Sequence, residues 1–323
     1  MTKPLGRSGL SVFPLVLGGN VFGWTADERA SFAVLDAFVE GGGNALDTAD
    51  MYSTWVPGHA GGGQSETLIG KWLRRRGRRD DVLIFTKVGM ALAPDKTGLA
   101  PARIRQAIEA SLRRLGTDYV DLYQSHQDDE TLPVTAPLEA YARLIEEGKI
   151  RAIGASNFSP ERLQAALDAS AAQGLPRYES LQPEYNLYAR DGFEAQLRPV
   201  AQAAGIGVIP YFGLASGFLT GKYRTAADLG QSVRGGSIAG KYFNDRGFAI
   251  LAALDAVAEA HAATPAQVAL AWLMQAPGST APIASATTAA QATELLGAAA
   301  LRLTAADVQH LNAASAPAAA PQP

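Results

Sequence analysis

Residues Val82–Gln124 read VLIFTKVGMALAPDKTGLAPARIRQAIEASLRRLGTDYVDLYQ. An apolar run, Val82–Lys87, ends on a lysine. Pro101 then opens a helical pattern in which Ile104, Ile108 and Leu112 share one stripe, and Gly116 closes it. A second apolar run, Tyr119–Gln124, follows at once. Strand, helix, strand in this order predicts two neighbouring parallel strands joined by a helical crossover. Neither run alternates in polarity, as suits strands buried on both faces.

The same unit recurs outward in both directions. Further short apolar runs stand at Leu15–Gly18, Asn44–Asp47, Ile150–Ser156, Ser180–Pro183, Gly207–Tyr211 and Ala281–Ala284, which makes eight. Helical patterns lie between them. Thr25-Ala-Asp-Glu28 has capping-box spacing, Ser159-Pro160 and Thr264-Pro265 read as N-caps followed by proline, and Thr304 stands three residues before Asp307. Eight such units in one chain fit a closed (β/α)8 barrel, an α/β TIM barrel in a single domain over residues 1–312. The Gly-rich, polar segment Leu219–Arg246 is expected to be a long loop after the seventh strand. The Ala/Pro tail, residues 313–323, is expected to be disordered.

Composition excludes several classes of function. Hydrophobic residues make up 47% of the 323, enough for a substantial core, and charged residues only 18%. The net charge of -3 offers no general attraction to nucleic acid or anionic lipid. Cysteine is absent, so disulfides and thiolate catalysis are excluded. The four histidines, His59, His126, His261 and His310, lack metal-ligand spacing, and no metal site is indicated. The start lacks the apolar run of a signal peptide, and no 18-residue apolar stretch spans a membrane. A soluble, cytoplasmic protein is expected.

Active residues of a parallel barrel gather at the carboxyl ends of its strands. The polar residues ending successive runs are Asp47, Lys87, His126, Ser156, Gln182 and Tyr211. They are separated by 40, 39, 30, 26 and 29 residues, each about one strand–helix unit. Six polar groups from six strands can therefore face one mouth.

Eight motifs in order carry a resemblance to the aldo-keto reductase family. They are Leu5-Gly-Arg-Ser-Gly-Leu10, Leu46-Asp-Thr-Ala-Asp-Met-Tyr52, Gln64-Ser-Glu66, Phe85-Thr-Lys-Val88, Gly148-Lys-Ile-Arg-Ala-Ile-Gly154, Ser156-Asn-Phe158, Gln182-Pro-Glu-Tyr-Asn186 and Gly217-Phe-Leu-Thr-Gly-Lys-Tyr223. The resemblance runs from Leu5 to about Leu311. It implies a (β/α)8 barrel, a nicotinamide cofactor, and aldehydes or ketones as substrates.

Carbonyl reduction puts negative charge on oxygen as hydride reaches carbon, so a proton donor must stand beside that oxygen. Tyr52 lies five residues past Asp47, on the loop after the second strand. A free phenol has a pKa near ~10. A lysine ammonium close by lowers it, and Lys87 ends the next strand. Asp47 can hold that ammonium in place, and a neutral His126 can bind the carbonyl oxygen. By resemblance, these four residues fall on the family's catalytic positions. Other readings stay open on the residues alone. Lys87 is also compatible with a Schiff-base lysine of an aldolase-type enzyme. Asp47 could satisfy loop amides, and His126 could be structural.

No Gly-x-Gly-x-x-Gly follows a strand and opens a helix, so a Rossmann domain is not indicated. The resemblance instead lays the cofactor across the barrel mouth. Ser156, Asn157 and Gln182 face the nicotinamide carboxamide, and Tyr211 offers its ring, although it reads equally as a core aromatic. Phe212, Gly213, Leu214 and Ser216 line the diphosphate, with Lys222 on a phosphate oxygen. Gly19, Asn20, Ser285, Thr287, Gln291 and Glu294 complete the implied set. Two departures stand out. Phe212-Gly213-Leu214 replaces the family's Ser-Pro-Leu, and Thr287-Thr288 stands where many relatives carry a cation for the 2′-phosphate. NADP(H) is favoured by the resemblance, with NAD(H) also admitted.

Phe22, Trp24 and Trp55 are candidates for an apolar substrate wall. Arg74-Arg-Arg-Gly-Arg-Arg79 reads as the cationic end of a helix rather than a nucleic-acid patch. The leading expectation is an NADP-dependent oxidoreductase acting on a small-molecule carbonyl. The alternatives are a redox-sensing regulatory subunit with little turnover and a Schiff-base aldolase. No coiled-coil seam sets an oligomeric state.

Overall fold

The structure, a computed structural model, describes residues 2–93 and 95–317. Its strands are β1 (Lys3–Pro4), β2 (Ser11–Val12), β3 (Val16–Gly18), β4 (Ala45–Asp47), β5 (Leu83–Val88), β6 (Val120–Ser125), β7 (Ile150–Ser156), β8 (Tyr178–Gln182), β9 (Gly207–Val208) and β10 (Ile283–Ala284). The last eight form one parallel sheet in the order β10-β3-β4-β5-β6-β7-β8-β9. Backbone bonds join its two ends: Thr280 N–H donates to Val208 O (2.8 Å) and Ile283 N–H to Pro210 O (2.8 Å). The sheet thus closes into the expected (β/α)8 barrel.

Helices wrap the outside. They are α1 (Glu28–Glu40), α2 (Gln64–Arg76), α3 (Pro101–Leu115), α4 (Thr135–Glu146), α5 (Pro160–Gln173), α6 (Arg198–Ala204), α7 (Gly235–Tyr242), α8 (Asp245–Ala260), α9 (Pro265–Gln275), α10 (Ala289–Gly297) and α11 (Ala305–Ala314). Punctuation read from the sequence holds at Pro101 and Gly116, at Ser159, and in the capping boxes of Thr264 and Thr304. At α1 it does not. Asp27, not Thr25, is the N-cap and accepts from Ala30 N–H. Segment Leu219–Arg246 is also not one loop. Thr225 and Asp228 form a capping box over a short 3-10 turn, and α7 follows. These pieces are too short and Gly-rich to show periodicity. At the C-terminus, α11 reaches Ala314 and Ser315 is buried, so the tail is packed that far. Residues 318–323 of the expected disordered tail lie outside the described residues.

Side chains alternate along each strand, and the inward ones fall in layers. The lower layer is apolar: Val16, Ala45, Phe85, Leu122, Ala152, Ile209 and Ile283 pack with Leu5, Leu10 and Val12. Two residues further along the strands stand Gly18, Asp47, Lys87, Gln124, Gly154 and Tyr211. A change from apolar to polar over one period therefore divides a packed floor from a polar mouth. The β1–β2 hairpin, absent from the sequence-based expectation because its strands are two residues long, covers the floor.

The basic stretch at the end of α2 and just beyond it forms ion pairs, Arg75 with Asp36, Arg76 and Arg78 with Asp81, and Arg79 with Asp121. Among the described residues, no single helix is long and apolar enough to cross a membrane.

The hairpin approaches the barrel closely. A Cβ on Gly207 would stand 2.6 Å from Gly6 N and 2.6 Å from Leu5 Cδ1. Gly207→Val should cost about 1–3 kcal/mol by overpacking this contact. Urea unfolding read by tryptophan fluorescence measures it, and an unchanged midpoint would show that the hairpin yields freely.

Candidate active site

Asp47, the last residue of β4, is almost fully buried and accepts four hydrogen bonds. Its Oδ2 takes Lys87 Nζ at 2.6 Å and the Tyr52 hydroxyl at 3.3 Å. Its Oδ1 takes Gln182 Nε2 at 3.0 Å and Gln124 Nε2 at 3.1 Å. Lys87 also donates to the Tyr52 oxygen (2.9 Å) and to Thr48 O (2.9 Å). The ring of His126 lies 5.9 Å from that of Tyr52, roughly edge-on. The four residues expected to act together are thus in one cluster.

A turn carries Tyr52 here. Its N–H donates to Ala49 O, and Ser53 Oγ donates to Phe22 O. Asp50, in the same turn, pairs with Arg103 of α3 at 2.6 Å. Burial, reinforced by Glu66, raises the Asp50 carboxyl to about 6 against the pull of Arg103.

The electrostatics differ from expectation at Tyr52. Lys87 was expected to bring the phenol down. Burial and the Asp47 carboxylate outweigh it and hold the phenol well above its ordinary value. Tyr52 is therefore protonated at neutral pH. Burial pulls the Lys87 ammonium down, and Asp47 opposes that pull. Burial, then Lys87, pushes His126 well below the usual imidazole range, so its ring is neutral.

A groove of about 960 Å3 opens over this cluster. It is lined by Asp47, Tyr52, His126, Ser156, Asn157, Gln182 and Tyr211, then by Phe212, Gly213, Leu214, Ser216 and Lys222. Asn20, Ser285, Thr287, Gln291 and Glu294 complete the expected set in its lining. Several of these already bond one another. Ser285 Oγ donates to Asn20 Oδ1 (2.6 Å), Thr287 Oγ1 to Gln291 Oε1 (3.0 Å), and Thr264 Oγ1 to Glu294 (2.7 Å). Asn157, with a left-handed φ of 55°, donates to His126 O and accepts from Tyr211 OH at 3.0 Å. Gly19 is buried behind the groove, where a Cβ would stand 2.7 Å from Ser65 Oγ.

A family model for the aldo/keto reductase family matches residues 14–316. The chain belongs to the aldo/keto reductase family. It is 35% identical over 225 residues to the uncharacterized oxidoreductase YrpG of Bacillus subtilis, covering 68% of each chain. To the probable aldo-keto reductase 1 of Glycine max it is 30% identical, covering 95% of this chain and 86% of that one. It is also 31% identical to a probable voltage-gated potassium channel subunit beta of Arabidopsis thaliana, with 90% and 89% covered. The family brings oxidoreductase chemistry with a nicotinamide cofactor, and its members typically use NADP(H).

In this aldo/keto reductase the expected substrate wall is corrected in part. Trp55 lines the groove and is 43% exposed. Phe22 does not line it and is buried in the core, since an unbroken apolar ring gains more from burial there. Trp24 stands behind Trp55, edge to face at 5.6 Å. Met51, Met90 and Val21 join the lining instead. Arg234 also lines the groove, over the Trp24 ring, with no acidic partner among the described residues. It falls in irregular chain, where no sequence period marks it. Gln124 was missed too, although it sits two residues beyond Leu122 in the inward column.

His126 should stay neutral throughout the physiological range. NMR of ring-labelled protein should show no titration of His126 between pH 8 and 6. A midpoint near 6.5 would mean that its ring is open to solvent.

Proposed function

We propose that this aldo/keto reductase reduces aldehyde or ketone carbonyls, with Tyr52 as general acid. The observation that carries the proposal is the Tyr52 hydroxyl. It is protonated, held 2.9 Å from Lys87 Nζ and 3.3 Å from Asp47 Oδ2, and borders the groove beside a neutral histidine.

Cofactor fit can be judged from the groove itself. The lining offers amide and hydroxyl groups, two cations without acidic partners among the described residues (Lys222 and Arg234), and the polar side chains of Thr287, Gln291 and Glu294. That set of groups suits the carboxamide, diphosphate and adenosine of a nicotinamide dinucleotide. When bound, the cofactor supplies the hydride. Ser156, Asn157, Gln182 and Tyr211 would hold the nicotinamide end. Phe212, Gly213, Leu214, Ser216 and Lys222 would line the diphosphate, with Arg234 added. Gly19 would shape the wall from behind, and Asn20 and Ser285 would line it.

The residues of the chain then act in turn. His126 donates an N–H to the carbonyl oxygen and orients it. Tyr52 passes its proton to that oxygen as charge develops there. The Lys87 ammonium, already bonded to the phenol oxygen, stabilises the phenolate as it forms. Asp47 keeps Lys87 charged inside a site that would otherwise expel the charge. Trp55, Met51, Met90 and Val233 offer apolar contacts to the body of the substrate. The Schiff-base alternative is opposed by Lys87 itself, which is fully buried and outside the groove lining.

Tyr52→Phe should lower kcat by about 10²–10⁴-fold with 4-nitrobenzaldehyde while the Kd for NADPH changes little. Near-normal turnover in that variant would sink the assignment. Likeness to a probable voltage-gated potassium channel subunit beta supports a second reading, a regulatory subunit that binds cofactor with little turnover. Binding without turnover across a broad carbonyl panel would favour it.

Among the described residues, Thr287, Gln291 and the acidic Glu294 at the expected adenosine end offer no cation to a 2′-phosphate. NADPH is expected to be preferred only modestly, by less than about tenfold in kcat/KM, for want of a charge-assisted contact. Thr287→Arg should widen that preference. An unchanged NADPH to NADH ratio in the variant would place the 2′-phosphate elsewhere.

A further inference from the structure

Gln124 has no role in the chemistry above, yet it is fully buried in the polar layer and touches two of its members. On β6 it pairs in register with Lys87 of β5 and Gly154 of β7. Gly154 leaves the space it needs. A Cβ there would stand 3.0 Å from Gln124 Cγ and 2.2 Å from Ser180 Oγ. The Gln124 side chain can therefore reach across β7 to Gln182 on β8, 3.2 Å away.

The direction of each amide follows from one carboxylate. An ionised carboxylate only accepts hydrogen bonds, so both glutamines must turn N–H groups toward Asp47 Oδ1. Turned that way, Gln124 presents its oxygen to Gln182 Nε2. The amino group of Gln182 then has both protons committed, one to Asp47 and one to Gln124. Its oxygen has no hydrogen-bond partner among the described residues, and it is the group Gln182 can offer the groove.

We propose that Gln124 is a positioning residue for the cofactor. It fixes the amide of Gln182 with its oxygen outward, so that Gln182 accepts a hydrogen bond from the amino group of the nicotinamide carboxamide. This rests on Gln182 being a nicotinamide ligand, as proposed above. One carboxylate, Asp47, then sets both the orientation of the nicotinamide end and the charge of the proton-donating pair.

The test uses the full chain, with NADP+ and 2′-phospho-ADP-ribose, which lacks the nicotinamide, titrated by tryptophan fluorescence. Gln124→Met should weaken NADP+ binding by about five- to tenfold and leave the fragment unchanged. Gln182→Ala should do the same, and the double variant should lose no more than Gln182→Ala alone. Gln124→Glu guards against misfolding of the methionine variant. Its carboxyl, when protonated, can donate to Asp47 and accept from Gln182 as the amide does; when ionised it repels Asp47. Its NADP+ affinity relative to the wild type at the same pH should approach one near pH 5 and fall as pH rises. Equal losses for NADP+ and the fragment, or a Gln124→Glu variant whose ratio to the wild type does not change with pH, would overturn the proposal. So would a loss in Gln182→Ala alone, which leaves the Gln182 reading standing. If Gln182→Ala binds NADP+ normally, that reading fails and the proposal fails with it.

Discussion

Everything at the barrel mouth depends on the carboxylate of Asp47. It takes hydrogen bonds from Lys87, Tyr52, Gln124 and Gln182, groups that come from four separate segments of chain. An ammonium could not be kept this deep without a partner, because stripping water from a lone charge costs several kcal/mol. The pairing makes the buried lysine tolerable. In the proposed reaction Tyr52, which keeps its proton at neutral pH, would meet that cation at the moment it gives the proton up.

Placement of these groups is the work of the barrel. On the staggered strands Asp47 of β4 pairs in register with Phe85, while Lys87, two residues further along β5, pairs with Gln124 of β6 and reaches back to Asp47 through its ammonium. Alternation puts an apolar residue two positions below each, at Ala45, Phe85 and Leu122. The floor is thus dry and rigid where the mouth is polar. The Asp50–Arg103 pair adds an anchor from α3 to the turn that carries Tyr52.

Much of this was legible in the sequence because strand ends and helix caps are local signals. The apolar runs fell on the strands, and Asp47, Lys87, His126, Ser156, Gln182 and Tyr211 all stand at the barrel mouth. What escaped depends on the third dimension. Phe22 reads like any groove aromatic, and only packing shows that it points inward. Gln124 ends an apolar run just short of His126, and its meaning comes from Asp47 and Gln182, each two strands away. Arg234 lies in chain without period. The raised phenol of Tyr52 could not be read from spacing either, since spacing shows which charges are near but not how much water has been removed.

The hairpin over the barrel floor also bears on how the chain is made. Gly6 packs against Glu179 and Gly207, and Lys3 donates to the carbonyl of Met274. These contacts join residues 3–6 to ones that leave the ribosome some 170 to 270 residues later. At about 5–20 residues per second, the amino-terminal segment waits on the order of ten seconds or more for its seat. Leu5, Leu10 and Val12 are apolar and uncovered during that interval. The sealing of the barrel floor is therefore a late, long-range event, which needs both the β1–β2 hairpin and the strands and helices it covers.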